Sequence, residues 1–296
     1  MIDSKLTTFI NAARLKNYTR TAELLNLTQP AVTQHIKQLE EHYGVKLIKK
    51  KGRQISLTEE GELLLEYANA FEASSLLLER KIKNKSAVIK RYNIGATLTI
   101  GEFVLPGLLG EHKRQNENID ILMQVNNLSE ILKKLENGQL DFALVEGPFD
   151  KTKFKYSRLQ EDELVLAVSP KSSLACRTEV EPEEIVKSGK LIMREEGSGT
   201  RIIFENKLLE LGFELSELKI YMEIGSIGAI KSLVRADLGY TIISKEAVKE
   251  EAETRILKIV PLKGTKIMRE FNFVYLDNSQ KDFLESFMSF LWSMKK

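Results

Sequence analysis

Apolar and small residues return at helical spacing at Phe9, Ile10 and Ala13, and again at Thr21, Ala22, Leu24 and Leu25. They lie on either side of Lys16-Asn17-Tyr18 and predict a helix ending at a turn, Asn26-Leu27. A second helix opens on Thr28-Gln29-Pro30-Ala31-Val32, where Thr28 can cap free N–H groups and Pro30 falls in the first turn, in which its missing donor costs nothing. Along it Val32, Ile36 and Leu39 repeat at i, i+4 and i+7 toward a core, leaving Gln29, Ala31, Thr33, Gln34 and Lys37 outside. This reads as a helix-turn-helix over 18–40. The runs 46–48 and 54–57 read as the arms of a hairpin wing, with Gly52 allowing its turn. Behind the wing, Gly61, Leu64, Ala68, Phe71, Ser75, Leu78 and Ile82 follow the three-four alternation of a helix that pairs with a copy of itself. Thr58 caps that helix, and Glu59 and Glu60 suit its first turn.

From Arg91 the pattern changes to short β-rich runs alternating with helices, which predicts a parallel-sheet α/β architecture. The expected strands are 92–96, 119–125, 141–145, 163–168, 191–193, 218–222, 240–243 and 271–275. The organisation is double: the helix, turn and strand over 128–145 have a counterpart over 227–243. Two similar α/β halves with a cleft between them would make a ligand clamp.

Hydroxyls, amides and one cation on the second helix suit base edges in a major groove, although an ordinary surface helix carries the same residues. The next segment decides between the two. Lys46, Lys49, Lys50, Lys51 and Arg53 crowd into 44–57 with no acidic residue among them, directly behind the helix-turn-helix, and suit a phosphate backbone. The net charge of +2 conceals an asymmetry, because residues 1–62 hold ten basic against seven acidic side chains and the remaining residues are close to neutral. A polyanion is therefore expected at the N-terminal end, with salt-dependent binding. The lone Cys176 allows no internal disulfide; with no signal-peptide apolar region at 1–4 and no run long enough to span a bilayer, a soluble cytoplasmic protein without membrane contact is expected. No P-loop, GxGxxG, CxxC or HExxH pattern occurs, and His35, His42 and His112 are not spaced as metal ligands, so neither enzyme chemistry, cofactor nor metal is expected. The competing reading, a solute-binding or enzymatic two-lobed α/β protein, leaves the basic wing without a use.

Phe9 to Gly61, with 29–33, Ile36, Leu39-Glu40, Gly44, Leu47 and Leu57-Thr58 at matching spacing, resembles the LysR-type transcriptional regulators, and the resemblance spans the chain. The chain departs from that pattern at Ile48, where an aromatic is usual, at Lys50, where arginine is usual, and at Thr21, which stands for one of two alanines. The resemblance implies a winged helix-turn-helix at 1–60, a dimerising linker helix at 58–90 and a two-lobed effector domain at 91–296, similar to periplasmic binding proteins. Lobe I would comprise about 91–166 and 268–296, and lobe II about 167–267. Arg20, Thr28, Gln29, Pro30, Ala31, Thr33, Gln34, Lys37, Lys49, Lys50, Lys51 and Arg53 are then the candidate DNA-binding residues, and Leu64, Ala68, Phe71, Ser75, Leu78 and Ile82 the candidate dimer contacts. Promoter DNA and a small-molecule effector are the implied partners, with a homodimer, a homotetramer built as a dimer of dimers, and room for RNA polymerase.

In open α/β sheets ligands bind beyond the carboxyl ends of strands. Three such ends carry suitable groups: Thr97 and Thr99 ahead of Ile100, Ser198-Gly199-Thr200 within 195–201, and Ser226 opening another helix. Small hydroxyl residues at a helix N-terminus offer donors to an anion, but for any one site the plain cap is the commoner use; three around one cleft reverse that preference and favour a small anionic effector. The segments 97–106, 141–147 and 195–201 look most like the subgroup of sulfite-reductase-gene activators and carbon-fixation operon regulators, and Thr97 and Thr99 resemble anion-binding threonines of sulfate-responsive cysteine regulators. Glu146 breaks that likeness. A carboxylate repels an anion unless it is protonated, paired or turned away, so either the effector is not a plain dianion or it presents a donor to Glu146.

Overall fold

The structure, a computed structural model, describes residues 3–51, 54–87, 89–277 and 281–293. It divides into two units, an N-terminal one ending at Ser86 that also takes in Glu136–Gln139, and a larger one made of the rest of the chain from Ala87. The first unit contains α1 (Ser4–Leu15), α2 (Tyr18–Leu25), α3 (Gln29–Tyr43), β1 (Ile48–Lys51), β2 (Gln54–Leu57) and α4 (Glu59–Ser86). The single helix expected ahead of the turn is two. Lys16 takes the left-handed conformation, φ 50°, and ends α1, and the Asn17 side chain accepts from Arg20 N to start α2. The apolar period runs through this break because both helices bury the same face: Phe9 and Ala12 share one core with Tyr18, Ala22, Val32, Ile36 and Leu39. Thr28 caps α3 as expected, accepting from Ala31 N at 3.3 Å.

The hairpin pairs Ile48 with Leu57 and Lys51 with Gln54, so its first arm begins two residues later than the expected 46. Gly52 and Arg53, and the side chains of Lys50 and Lys51, lie outside the described residues. Glu40 fastens the hairpin to α3, accepting from Leu47 N at 3.0 Å and from Lys46 Nζ at 2.6 Å. Burial opposes the charge of Glu40, but Lys46 and the two amides of Leu47 and Ile48 hold its carboxyl below the ordinary value. Thr58 turns the chain into α4 by accepting from Gly61 N at 2.9 Å.

The candidate dimer stripe on α4 is only partly free. Leu64 packs on the winged core and Ala68 is buried, so neither is presented to a partner. Phe71, Leu78 and Ile82 are exposed, together with Leu63 and Tyr67, and Ser75 is half-buried. At its start the exposed apolar surface lies one position ahead of the expected stripe, at Leu63 and Tyr67, because α4 spends its expected face there on its own domain; from Phe71 onward the two coincide at Phe71, Leu78 and Ile82.

The second unit runs β3 (Lys90–Thr97), a π-helical turn (Ile100–Val104), α5 (Leu105–Gln115), β4 (Ile119–Asn126), α6 (Leu128–Glu136), β5 (Phe142–Glu146), β6 (Lys155–Val168), α7 (Pro182–Lys187), β7 (Leu191–Arg194), α8 (Gly199–Glu210), β8 (Ile220–Ile224), α9 (Ile227–Arg235), β9 (Thr241–Ser244), α10 (Lys249–Glu253), β10 (Lys258–Val260), β11 (Ile267–Tyr275) and α11 (Lys281–Ser293). The sheet is mixed, a correction to the parallel architecture expected. Its order is β10-β6-β11-β5-β3-β4, with β9 on β6. β3 pairs in parallel with β4 and β5, whereas β11 is antiparallel to β5 and β6, and β6 is antiparallel to β9 and β10.

Lobe I builds its core from Ile94, Ile100, Leu105, Phe142, Phe271, Phe273 and the α11 residues Phe283 and Phe287. Lobe II builds two clusters, one around Leu166, Leu191, Phe204 and Tyr240 and one around Ile227, Ile230, Val234 and Ile243. β6 and β11 run between the lobes, and β6 begins eight residues ahead of the expected 163 because Lys155 to Asp162 is mostly polar and charged and shows no run of apolar residues. Among the described residues no helix is long and apolar enough to cross a membrane.

Candidate functional site

Three strand ends of the second unit bring the expected polar residues together. β3 ends at Thr97, β5 ends at Glu146, and β7 ends at Arg194 ahead of the α8 N-terminus. Thr97, Thr99, Glu146, Ser198 and Thr200 are each at most 3% exposed. A ligand therefore reaches them only when the lobes part. The lobes meet backbone to backbone there: a Cβ on Gly199 would lie 2.0 Å from the Glu146 carbonyl oxygen, and one on Gly147, φ +114°, would lie 2.8 Å from Gly199 Cα.

The hydroxyls separate into caps and non-caps. Ser226 is a cap: it is exposed and accepts from Ala229 N at 3.3 Å. The Ile100 side chain is wholly buried in the lobe I core. By contrast Ser198 stands at the N-cap of α8 without a capping bond, and Thr99 likewise makes none for the π-helical turn. The Thr97 hydroxyl donates to the Glu146 carboxylate. Thr99 and Thr200 both accept from Arg269, at 3.4 and 2.9 Å.

Arg269 is the centre of the cluster and was not among the residues expected. Carried on β11 directly opposite Asp162 of β6, it donates from Nε to Asp162 Oδ2 at 2.7 Å, and both side chains are 1% exposed. Ser244, at the end of β9, donates to the same oxygen at 2.8 Å. Arg269 also lies 3.8 Å from Glu146. It thus touches Thr99 and Glu146 of lobe I, Thr200 of lobe II, and the strand between them. Arg194 is held by Glu195 through two bonds, 2.7 and 2.9 Å. Burial pushes the Glu146 carboxyl above its ordinary value against the pull of Arg269 and of the Thr97 and Thr99 hydroxyls. The expected conflict between Glu146 and an anion is met by pairing: the carboxylate faces a guanidinium. A period-two reading could have found the pair, since Arg269 shares parity with buried Ile267 and Phe271, and Asp162 with Leu164 and Leu166.

In the first unit Thr28, Gln29, Pro30, Gln34 and Lys37 are exposed along α3, as are Arg20 on α2 and Lys49 on β1, while Ala31 and Thr33 are half-buried. Gln29 Nε2 donates to Thr33 Oγ1 at 3.0 Å, and Lys37 lies 3.4 Å from Glu41. His35 binds Thr8 at 2.8 Å and so ties α1 to α3. A bacterial regulatory helix-turn-helix protein model of the lysR family matches residues 4–62, and a LysR substrate binding domain model matches residues 87–295.

The chain belongs to the LysR family of transcriptional regulators. This LysR regulator is 30% identical over 289 residues to an uncharacterised helix-turn-helix regulator of Methanocaldococcus jannaschii, covering 96% of this chain and 95% of the relative. It is 31% identical over 286 residues to the transcriptional activator CmpR of Synechocystis, covering 96% and 93%. Its fold is similar to that of the Synechocystis CcmR regulatory domain in complex with 2-PG, with TM-score 0.60, 23% identity, and coverage of 67% of this chain and 96% of that one. Two domains of that family on one chain make this a DNA-binding regulator with an effector domain, not an enzyme. Among the described residues no group of His, Cys, Asp or Glu is arranged to hold a metal.

Proposed function

We propose that this regulator senses a small anionic metabolite at the α8 N-terminus, between Thr97, Thr99 and Glu146 on one side and Ser198, Gly199 and Thr200 on the other. The observation that carries the reading is that Thr97, Thr99 and Ser198 are buried, converge from two lobes, and do not cap helices. Free N–H groups at the start of a helix favour negative charge, and α8 has twelve residues. The 2-PG bound to the CcmR regulatory domain is an anion of suitable size, which supports the same class here. DNA is taken by α3 through Gln29, Gln34 and Lys37 and by the wing through Lys49, Lys50, Lys51 and Arg53. The exposed stripe Leu63, Tyr67, Phe71, Leu78 and Ile82 on α4 pairs two chains. Two such dimers form the tetramer, and RNA polymerase is the partner at the promoter. Effector-driven closure then alters the bend of the bound promoter.

A thermal-shift panel of small anions tests this. A ligand at 100 times its dissociation constant adds about 2.7 kcal/mol of stability. The gain is expected to vanish in both Thr97→Ala and Ser198→Ala, and the same ligand is expected to change the footprint on promoter DNA. A shift that survives both substitutions places the ligand elsewhere.

A further inference from the structure

The buried charges around the cleft do not balance. Arg194 is matched by Glu195, Arg201 by Glu205 and Glu223, and Arg269 by Asp162. Glu146, 2% exposed, shares that guanidinium with Asp162 from 3.8 Å and is otherwise held by the Thr97 and Thr99 hydroxyls, so two buried carboxylates face Arg269. Among the described residues no group donates to the second oxygen of Asp162. An anion entering beside Ser198 and Thr97 would add negative charge to a site where two carboxylates already share one guanidinium, away from water, where such charge is costly. A single proton placed between the anion and Glu146 removes the conflict and makes one strong, charge-assisted hydrogen bond.

We infer that the cleft selects oxyanions that carry an ionisable proton, such as hydrogen phosphate or a phosphomonoester, over fully deprotonated anions of the same shape, sulfate above all, and that Glu146 is the residue that discriminates. This rests on the anion-binding reading above. Glu146 accepts the proton of the ligand's O–H in a hydrogen bond, Thr97 is released to donate to a ligand oxygen, and Arg269 keeps the carboxylate's charge compensated. Sulfate has no proton to offer and meets Glu146 as a bare like charge. A site built to bond a ligand hydroxyl rejects the analogue that lacks it by large factors, because its own buried group is left unpaired.

The test is isothermal titration calorimetry of the full chain with inorganic phosphate, a small phosphomonoester and sulfate at about pH 6, where a phosphomonoester is about half monoprotonated, repeated on Glu146→Gln and Thr97→Ala. Glutamine keeps the shape, and a melting curve confirms that the variant folds. The native protein is expected to prefer phosphate or the phosphomonoester over sulfate by on the order of 100-fold or more. Glu146→Gln, which presents an amide donor, is expected to bring the ratio within about tenfold, chiefly by tightening sulfate. Thr97→Ala should weaken all three alike. Native protein that binds sulfate as tightly as phosphate, or a Glu146→Gln variant that keeps the full preference, overturns the inference while leaving anion sensing in place. Failure of all three to bind native protein overturns the anion-binding reading itself, and the inference with it.

Discussion

Replacing Arg269 by methionine removes a guanidinium of which 1% is exposed, and strands Asp162, also 1% exposed, without its partner at 2.7 Å. The bond to Thr200 at 2.9 Å goes with it. Breaking one side of a buried ion pair costs about 3–5 kcal/mol, because the remaining charge keeps its desolvation penalty and loses its compensation. The size therefore comes mostly from Asp162, not from Arg269. It follows that Arg269→Met/Asp162→Asn should be milder than Arg269→Met alone, since Glu146 is then the one buried carboxylate that has lost the guanidinium and methionine fills much of the arginine volume. The coupling in the double-mutant cycle should then reach about 2 kcal/mol or more. Urea unfolding followed through Trp292, the sole tryptophan, on α11 of lobe I, reads the transition of the second unit. An Arg269→Met loss below about 1 kcal/mol, or single losses that simply add in the double variant, would refute the reading of this pair as a coupled, water-excluded unit.

At the lobe contact, Gly199→Ala puts a methyl group 2.0 Å from the Glu146 carbonyl oxygen, and both sides are backbone. It should cost about 1–3 kcal/mol in a thermal melt and weaken anion binding; a native-like melt would mean the lobes part freely there. His112 is buried in lobe I against Phe283, Phe287 and Phe290 with neither ring nitrogen bonded, and burial lowers it from 6.5. The folded state thus refuses a proton that the unfolded chain accepts, so stability is held above about pH 6.5 and lost as pH falls below it. His112→Leu should flatten the melting temperature between pH 7 and 5, and an equally steep variant would assign the slope to other groups. On DNA, Gln34→Ala should reduce discrimination between operator and random sequence by about 1–3 kcal/mol. Lys49→Ala should instead weaken both alike and lower the salt slope by about 0.9; fluorescence anisotropy across a salt series separates the two effects.

The helix-turn-helix was legible because its signals are local: the Thr28 cap, Pro30 in the first turn, and Val32, Ile36 and Leu39 on one face. The break between α1 and α2 was less so, since a non-glycine residue, Lys16, takes the left-handed position, and only Asn17 marks the new start. The strand ends carrying Thr97, Glu146 and Ser198 could be placed from apolar runs that stop at polar residues. What stayed hidden was charge turned inward. Glu40 reads as a surface residue of α3 until its two backbone bonds fasten the wing. Arg269 and Asp162 read as turn and loop residues, because the strands that hold them are half exposed and carry Met268, Glu270 and Glu161 on their outer faces. Propensity assigns such residues to the surface; only the alternation with buried neighbours, and the register that sets Arg269 opposite Asp162, reverses it.

The same inward charge determines how strongly a ligand can move this regulator. A ligand shifts an equilibrium between open and closed lobes only by the difference in its affinity for the two. In the closed cleft Thr97 is already spent on Glu146, and Thr99 and Thr200 on Arg269. The empty closed state therefore leaves few of these polar groups unsatisfied, and an arriving anion is credited only with bonds beyond those it displaces. An anion that merely takes over the Thr97 hydroxyl exchanges one bond for another and frees a buried carboxylate at a cost. One that also donates to Glu146 keeps that carboxylate satisfied and adds the α8 amides as net gain. Glu146 thus raises the threshold for response, so that Glu146→Gln should respond to a wider range of anions and to each of them with a smaller difference between species.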